Sequence, residues 1–536
     1  MSPEQSFPSR LLRFESGPAM AGPAFDPRRI NMHLEGRTNG KRIMRDSEVE
    51  ELLNDPFATL ILRRGRFPRN LTELLAELDG HNGSPEGIAE QSSFLISEGG
   101  QIRFEPGIEK GGSRLLVVRS RAGSPELMIS VLTSDGESPR SDDLLLEVIA
   151  WDPINRTFHF YQRQKGAWFW CGQSDMAFDD DTRGHGPFDS HINGYPNMKE
   201  LKTPWVHWHG PGLAIQETAY APNDPLANDE LFLIKETALT FEVRVIRPLM
   251  ARWNTARFDK ASAGGSLSPA IFFLRQVAGS TSVNLTTTHT EFSRLDQDDL
   301  GDVPVTFFVD QDSLIDARAV GLVVDVPPLR LSRELYRDLI ERHTLRVRGG
   351  LVDIPGDVPF CFLVPERAHE DVLVVSGMIA RGQLSRRLAA CLLMVDFPNP
   401  VFSPHRAALL RHVPDGALGT ADLDKTLVDA IRASLAAAGP ESAEAEFVSN
   451  WDVGPDDWED AFADRVSAYL EAVAGRLASD EGADDIFRLA ESRRREFKEM
   501  RLAEFDLTLP IAMGIPKGTK PLEMRDDGTV VTRRGS

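Results

Sequence analysis

The stretch Leu144–Gly172, LLLEVIAWDPINRTFHFYQRQKGAWFWCG, decides how the first half of this chain folds. Three runs rich in β-branched and aromatic residues, LLLEVIAW, RTFHFYQR and AWFWCG, are separated by short polar breaks, which is the pattern of strands. The first break carries Asp152, Pro153 and Asn155, residue types that close tight turns. LLLEVIAW and TFHFYQR therefore pair as a hairpin, and AWFWCG extends it. Upstream, QIRFEP, RLLVVRS and ELMISVLTS carry the same signal between residues 101 and 134. One antiparallel sheet is the economical reading of all six runs.

Outward from the sheet, the pattern changes on both sides. Residues 1–45 are rich in Pro, Gly and Arg without a sustained period and read as an extended arm. A helical pattern opens at Asp46, and NLTELLAELDG places Asn70 as a cap, Glu73 three residues on and Gly80 as a stop. Residues 46–223 thus form a mixed α/β region. Residues 224–415 are mainly helical, with short strands at VTFFVD, VGLVVDV and PFCFLVP, and Pro398, Pro400 and Pro404 force an extended loop. Residues 416–536 are helical with an extended tail. Within them Phe462, Val466, Tyr469, Leu470, Val473 and Leu477 lie on one helical face, and the basic run Ser492–Lys498 (SRRREFK) reads as the solvated face of a following helix. The expected class is α+β: a sheet-rich N-terminal half followed by a mainly helical C-terminal half with short strands.

A chain of 536 residues exceeds a single core and implies several domains. The net charge of −21 repels phosphate over most of the surface, so neither nucleic acid nor an anionic membrane is an expected partner. No apolar run approaches the roughly 20 residues that span a bilayer. Arg10, Arg13 and Glu15 interrupt the place of a signal-peptide core, which makes a cytoplasmic location the expectation. Cys171, Cys361 and Cys391 are too scattered for a disulfide framework. Oligomeric state is not legible.

The chemistry concentrates after the sheet. Of twelve histidines, His185, His191, His207 and His209 fall within twenty-five residues, among Trp168, Trp170, Phe188, Tyr195, Trp205 and Trp208. Imidazole is the commonest transition-metal ligand, and apolar rings exclude water from such an ion. On a strand, His207 and His209 would share a face. Two histidines with a carboxylate suit iron, and three suit zinc or copper. The expected metal ligands are His191, His207 and His209, with Asp189 or His185 completing the shell. Trp168, Trp170, Trp205 and Trp208 would wall the pocket, and Arg183 or Lys199 would take an anionic substrate group. In a haem variant, His191 is the axial ligand and His185 with Arg183 does acid–base work on the oxidant.

Short resemblances cover parts of this segment and stop there. HWHG (207–210) resembles the first copper motif of the multicopper oxidases, whose downstream histidine runs are absent here. RGHGPF (183–188) is similar to the distal region of catalases, without a matching proximal R-x-F-x-Y-x-D run. PFDSHING has the outline of a c-type haem attachment, but Pro187 and Ser190 stand in place of the cysteines. The cupin H-x-H spacing fails at Glu217, and FDDDTRG departs from a calcium loop at Arg183 and Ser190. G-x-S-x-G, H-E-x-x-H, G-x-G-x-x-G and P-loop runs are missing. The leading expectation is a metal- or haem-dependent oxidoreductase acting on a small organic substrate with dioxygen or peroxide, using iron first, copper or zinc next, or non-covalent haem. The alternatives are a non-catalytic protein that binds a sugar or aromatic ligand, and a structural or assembly protein.

Overall fold

The computed structural model describes residues 25–97, 104, 106, 112–134, 136–197, 215, 217–262, 265–286, 301–349, 352–355, 364–414, 416–499 and 510–533. Its N-terminal half is built on one eight-stranded sheet. The strands are β1 (Asn31–His33), β2 (Lys41–Ile43), β3 (Glu90–Ser97), β4 (Ser113–Arg121), β5 (Ser124–Thr133), β6 (Leu146–Asp152), β7 (Thr157–Gln164) and β8 (Ala167–Gln173), in the order β2-β1-β8-β7-β6-β5-β4-β3. From β3 to β8 the chain meanders, each strand pairing antiparallel with its successor. The β6–β7 hairpin closes as its residues dictate: Asp152 Oδ1 accepts the amides of Ile154 and Asn155, both at 2.8 Å.

Two expectations need correction here. The sheet is mixed, because β1 runs parallel to β8. Residues 31–43 of the expected extended arm are also built into the sheet: β1 and β2 complete its edge, with buried Asn31 donating to the Trp168 carbonyl at 3.1 Å. Their apolar content is too low for a periodic signal, and pairing with β8 supplies what the short strands lack. The expected strand QIRFEP falls largely outside the described residues.

Alternation along the strands gives the sheet two covered faces. One face, with Val117, Ile129, Val148, Tyr161, Trp168 and Trp170, packs under the helices Asp46–Leu52, Pro56–Leu60 and Leu71–Asp79, which contribute Phe57, Leu74 and Leu78. The last helix starts as read, Asn70 Oδ1 accepting from the Glu73 amide at 2.9 Å. The opposite face, with Leu116, Met128, Trp151, Phe158, Phe160, Phe169 and Cys171, packs on Leu249, Met250 and Trp253 of the helix Arg247–Ala261. Val283, Leu285, Val401 and Phe497 join this second core, so the two halves of the chain share it.

The C-terminal half is mainly helical with short strands. Its two longest helices, Trp458–Leu477 and Asp480–Glu499, pack against the helices Arg386–Leu393 and Ala443–Asp452 in a third core. The expected face from Phe462 to Leu477 is buried throughout. VTFFVD is not a strand but a 3-10 turn at Val305–Phe307, and the segment before Arg247 is broken into short helical pieces with a π turn at Glu242–Ile246. The run SRRREFK is not a solvated face: Arg493 and Arg494 are buried. Arg493 donates to the carbonyls of Phe307 and Pro398, and Arg494 pairs with Glu491. The proline loop and the turn at Val305–Phe307 leave carbonyls inside the protein, and the long Arg493 side chain reaches both. Among the described residues no helix is long and apolar enough to cross a membrane.

Candidate functional site

Beyond β8 the chain turns back over the second face of the sheet through 3-10 turns at Ser174–Phe178, Gly186–Asp189 and Ile192–Gly194. Phe188 anchors this cover: it is buried and meets Phe160 edge-on, with ring centroids 5.4 Å apart. Gly194 lets the cover lie flat, since a Cβ there would sit 2.2 Å from the Ser174 carbonyl oxygen. Three further bonds pin it to the helical half: Trp253 Nε1 donates to the Asn193 carbonyl at 3.0 Å, Asn193 Nδ2 to Thr281 Oγ1 at 2.8 Å, and Tyr195 Oη to Asn254 Oδ1 at 3.1 Å.

His191 is the sequence-derived candidate that this cover holds most firmly. Its ring packs against Phe160 with centroids 5.1 Å apart, and Nδ1 lies 3.2 Å from the Asn197 carbonyl oxygen. Burial lowers its pKa to about 4, against the opposing pull of the Glu147 carboxylate and of the Asn197 and Tyr195 backbone. The ring is therefore neutral near pH 7. A carbonyl only accepts, so the single proton sits on Nδ1 and the lone pair on Nε2. Asn197 is itself buried, and its Nδ2 donates to Glu370 Oε2 at 3.5 Å. Burial, reinforced by the neighbouring Asp371 charge, pushes Glu370 up to about 7. A carboxyl from the helix His369–Ala380 thus holds the residue that orients His191.

Beneath the cover, the sheet face carries a polar stripe across four strands. Arg114 on β4 donates to Ser130 on β5 at 2.6 Å and pairs with Glu147 on β6. Gln162 on β7 donates to Glu147 at 3.0 Å, and Gln164 to Gln162 at 3.2 Å. Burial pushes Glu147 up, but Arg114 outweighs it and the carboxyl ends below its ordinary range. Cys171 on β8 completes the row, its Sγ 3.8 Å from Gln162 Oε1. Burial pushes that thiol far up, the behaviour of a small core residue rather than a nucleophile.

The other candidates are distributed differently. Asp189 lies in the same cover, and burial raises its carboxyl to about 6, with the Ser190 hydroxyl opposing. His185 and Arg183 are exposed, and Arg183 is engaged by Asp180 and by the Phe178 carbonyl. Trp168 and Trp170 do not wall this site. Strand alternation turns them to the first face, where Trp168 Nε1 donates to the Pro68 carbonyl at 2.9 Å and Trp170 Nε1 to His159 Nδ1 at 3.0 Å. The indoles and His191 are on opposite sides of the sheet. His159, upstream on β7, is a buried structural group between Trp170 and Asp152. His207, His209, Trp205, Trp208 and Lys199 lie outside the described residues. Among the described residues no group of three or more His, Cys, Asp or Glu is placed to hold a metal ion. Asp179 of the acidic turn is tied instead to Arg37, at 2.5 Å.

Sequence reading missed Arg114, Glu147, Asn197, Glu370 and Arg257, whose Nη1 donates to the Tyr195 hydroxyl at 3.1 Å. Glu147 and Gln162 did leave a trace, as polar residues in line with apolar ones on the same strand face. Glu370 and Arg257 left none, because they reach the site from helices far along the chain. No family model, no curated protein and no solved structure matches this chain.

Proposed function

We propose that the protein is an oxidoreductase that acts on a small organic molecule with dioxygen or peroxide, using a transition-metal ion, iron first, held in part by His191. The reading rests on one observation: Nδ1 of His191 lies 3.2 Å from the Asn197 carbonyl oxygen, a partner that only accepts and so draws the proton of a neutral ring to that side. That is the tautomer of a metal-ligating imidazole, whose outer N–H is fixed by a carbonyl so that Nε2 carries the lone pair. Asp189, two residues away, supplies a carboxylate that metal binding would ionise. His207 and His209 enter only from the sequence, as the remaining ligands. The haem form of the idea draws less support, since its two acid–base partners, Arg183 and His185, are exposed and Arg183 is held by Asp180.

Elemental analysis and an absorption spectrum of freshly purified wild-type chain, beside His191→Ala and His185→Ala, test the proposal. Stoichiometric metal lost in His191→Ala and kept in His185→Ala is the expected result. A wild-type chain that holds no metal after reconstitution, or a His191→Ala chain that retains it, removes the reading, and a Soret band replaces it with the haem form. The hydrogen-bonded stripe from Arg114 to Gln164 favours a second reading, non-catalytic binding of a polar small molecule, in which a chelator leaves affinity unchanged. Trp168 and Trp170 play no part in it.

A further inference from the structure

Seven arginines are buried among the described residues: Arg119, Arg163, Arg257, Arg367, Arg406, Arg493 and Arg494. Six are answered from within the chain. Arg119, Arg367 and Arg494 pair with Asp79, Asp310 and Glu491. Arg163, Arg406 and Arg493 donate to backbone carbonyls, those of Asp142, of Ala278 and Pro400, and of Phe307 and Pro398. Arg257 alone of the seven meets no carboxylate or carbonyl among the described residues. Its one hydrogen bond is from Nη1 to the Tyr195 hydroxyl at 3.1 Å, and its buried Nη2 has no acceptor among the described residues. Arg257 is 5 % exposed, and its guanidinium lies between aromatic rings, 4.7 Å from the centroid of Phe178 and 4.8 Å from that of Phe273. Rings offset part of the cost of burying a cation, but they accept no hydrogen bond in the guanidinium plane, where Nη2 points.

We propose that Arg257 is the anchor for a small flat acid, a planar carboxylate on an aromatic or similarly apolar body, bound through the unmet edge of the guanidinium. On the reading above, which this inference rests on, the acid is the substrate of the site that His191 serves: Tyr195, which holds Arg257, closes the same turn as His191. A carboxylate matches the planar guanidinium fork. A phosphate brings nearly two charges and three acceptor oxygens, more than one guanidinium and one hydroxyl answer. Phe178 is half-buried and packs on half-buried Phe272 at 5.0 Å, and exposed Arg183 lies over that outer ring at 6.0 Å.

Isothermal titration of the full chain with benzoate, benzamide and inorganic phosphate, before and after chelator treatment, tests the proposal. Benzoate should bind, benzamide at least about tenfold more weakly because it lacks the charge, and phosphate more weakly than benzoate. Arg257→Met should abolish benzoate binding. Phe178→Ala, at a half-buried site that tolerates truncation better, should weaken it and serves if Arg257→Met does not fold. No benzoate binding to wild type, equal binding of benzamide, phosphate binding as tight as benzoate, or undiminished binding by both variants overturns the inference. A metal-free chain that still takes benzoate through Arg257 keeps this inference while the metal reading fails. A metal-loaded chain indifferent to benzoate does the reverse.

Discussion

Replacing Asp152 should open the sheet locally, by an amount that follows from its partners. Its carboxylate is fully buried and accepts five hydrogen bonds: from His159 Nε2 at 3.2 Å, the Asn54 amide at 3.1 Å, and the Ile154 amide, the Asn155 amide and Asn155 Nδ2, each at 2.8 Å. In Asp152→Ala the three turn donors can turn to water, because Ile154 is 73 % exposed. His159, fully buried, cannot, and the amide of half-buried Asn54 aims at the same sealed carboxylate. Each sealed donor left unpaired costs about 1–3 kcal/mol, so the variant should lose about 4 kcal/mol, whereas Asp152→Asn, which keeps an acceptor, should lose about half of that. A chain with several cores will not unfold in one step, so the assay is amide hydrogen exchange of β6 and β7 by mass spectrometry, which reads local opening. A loss of about 4 kcal/mol accelerates exchange there roughly a thousandfold. Burial raises the Asp152 carboxyl, but the His159 and Asn155 bonds outweigh it and hold it well below its ordinary range. The advantage of wild type over Asp152→Asn is therefore complete above the unfolded value of about 3.9 and shrinks as pH falls below it. Protection in Asp152→Ala within threefold of wild type would show that the network contributes nothing and refute the reasoning.

Three further outcomes are expected. Phe188→Ala should cost about 3–5 kcal/mol by leaving a cavity over Phe160, read as faster exchange across residues 174–197, and protection equal to wild type there would deny Phe188 its anchoring role. Glu370, raised by burial to about 7, stays protonated in the folded chain while its unfolded counterpart ionises near pH 4.3. Stability should thus fall between about pH 4.3 and 7 and level off above; Glu370→Gln should flatten that slope in a thermal-shift series, and an unchanged slope would show that the carboxyl does not titrate there. Arg493→Met should cost about 3 kcal/mol because the Phe307 and Pro398 carbonyls lose their buried donor; a melting temperature equal to wild type would place those carbonyls in contact with water.

Much of the site was hidden in the sequence for identifiable reasons. The first part of the histidine segment folds as a cover over the sheet, carrying His191 and Asp189 together with Phe188 and Tyr195. Proximity in sequence misled at Trp168 and Trp170, where a period of two places neighbours of the segment on the far side of the sheet from it. His159 on β7 and His191 in the cover are the same residue type, yet one is a sealed structural link and the other an oriented imidazole. Only their partners, Asp152 with Trp170 in one case and the Asn197 carbonyl in the other, distinguish them.

What the sequence determined by itself was local: strands where β-branched and aromatic runs end in Asp-Pro turns, helices where Asn70 caps or an apolar face repeats from Phe462 to Leu477, and the division into a sheet-rich and a helical half. These follow from backbone preferences and side-chain periodicity, which act over a few residues. Tertiary structure alone decided which face each strand residue serves, that β1 closes the sheet beside β8, that Arg493 and Arg494 go inward, and that Glu370 and Arg257 reach the turn around His191. Those outcomes depend on buried charges and carbonyls finding partners tens to hundreds of residues away, and no short-range pattern encodes where such partners lie.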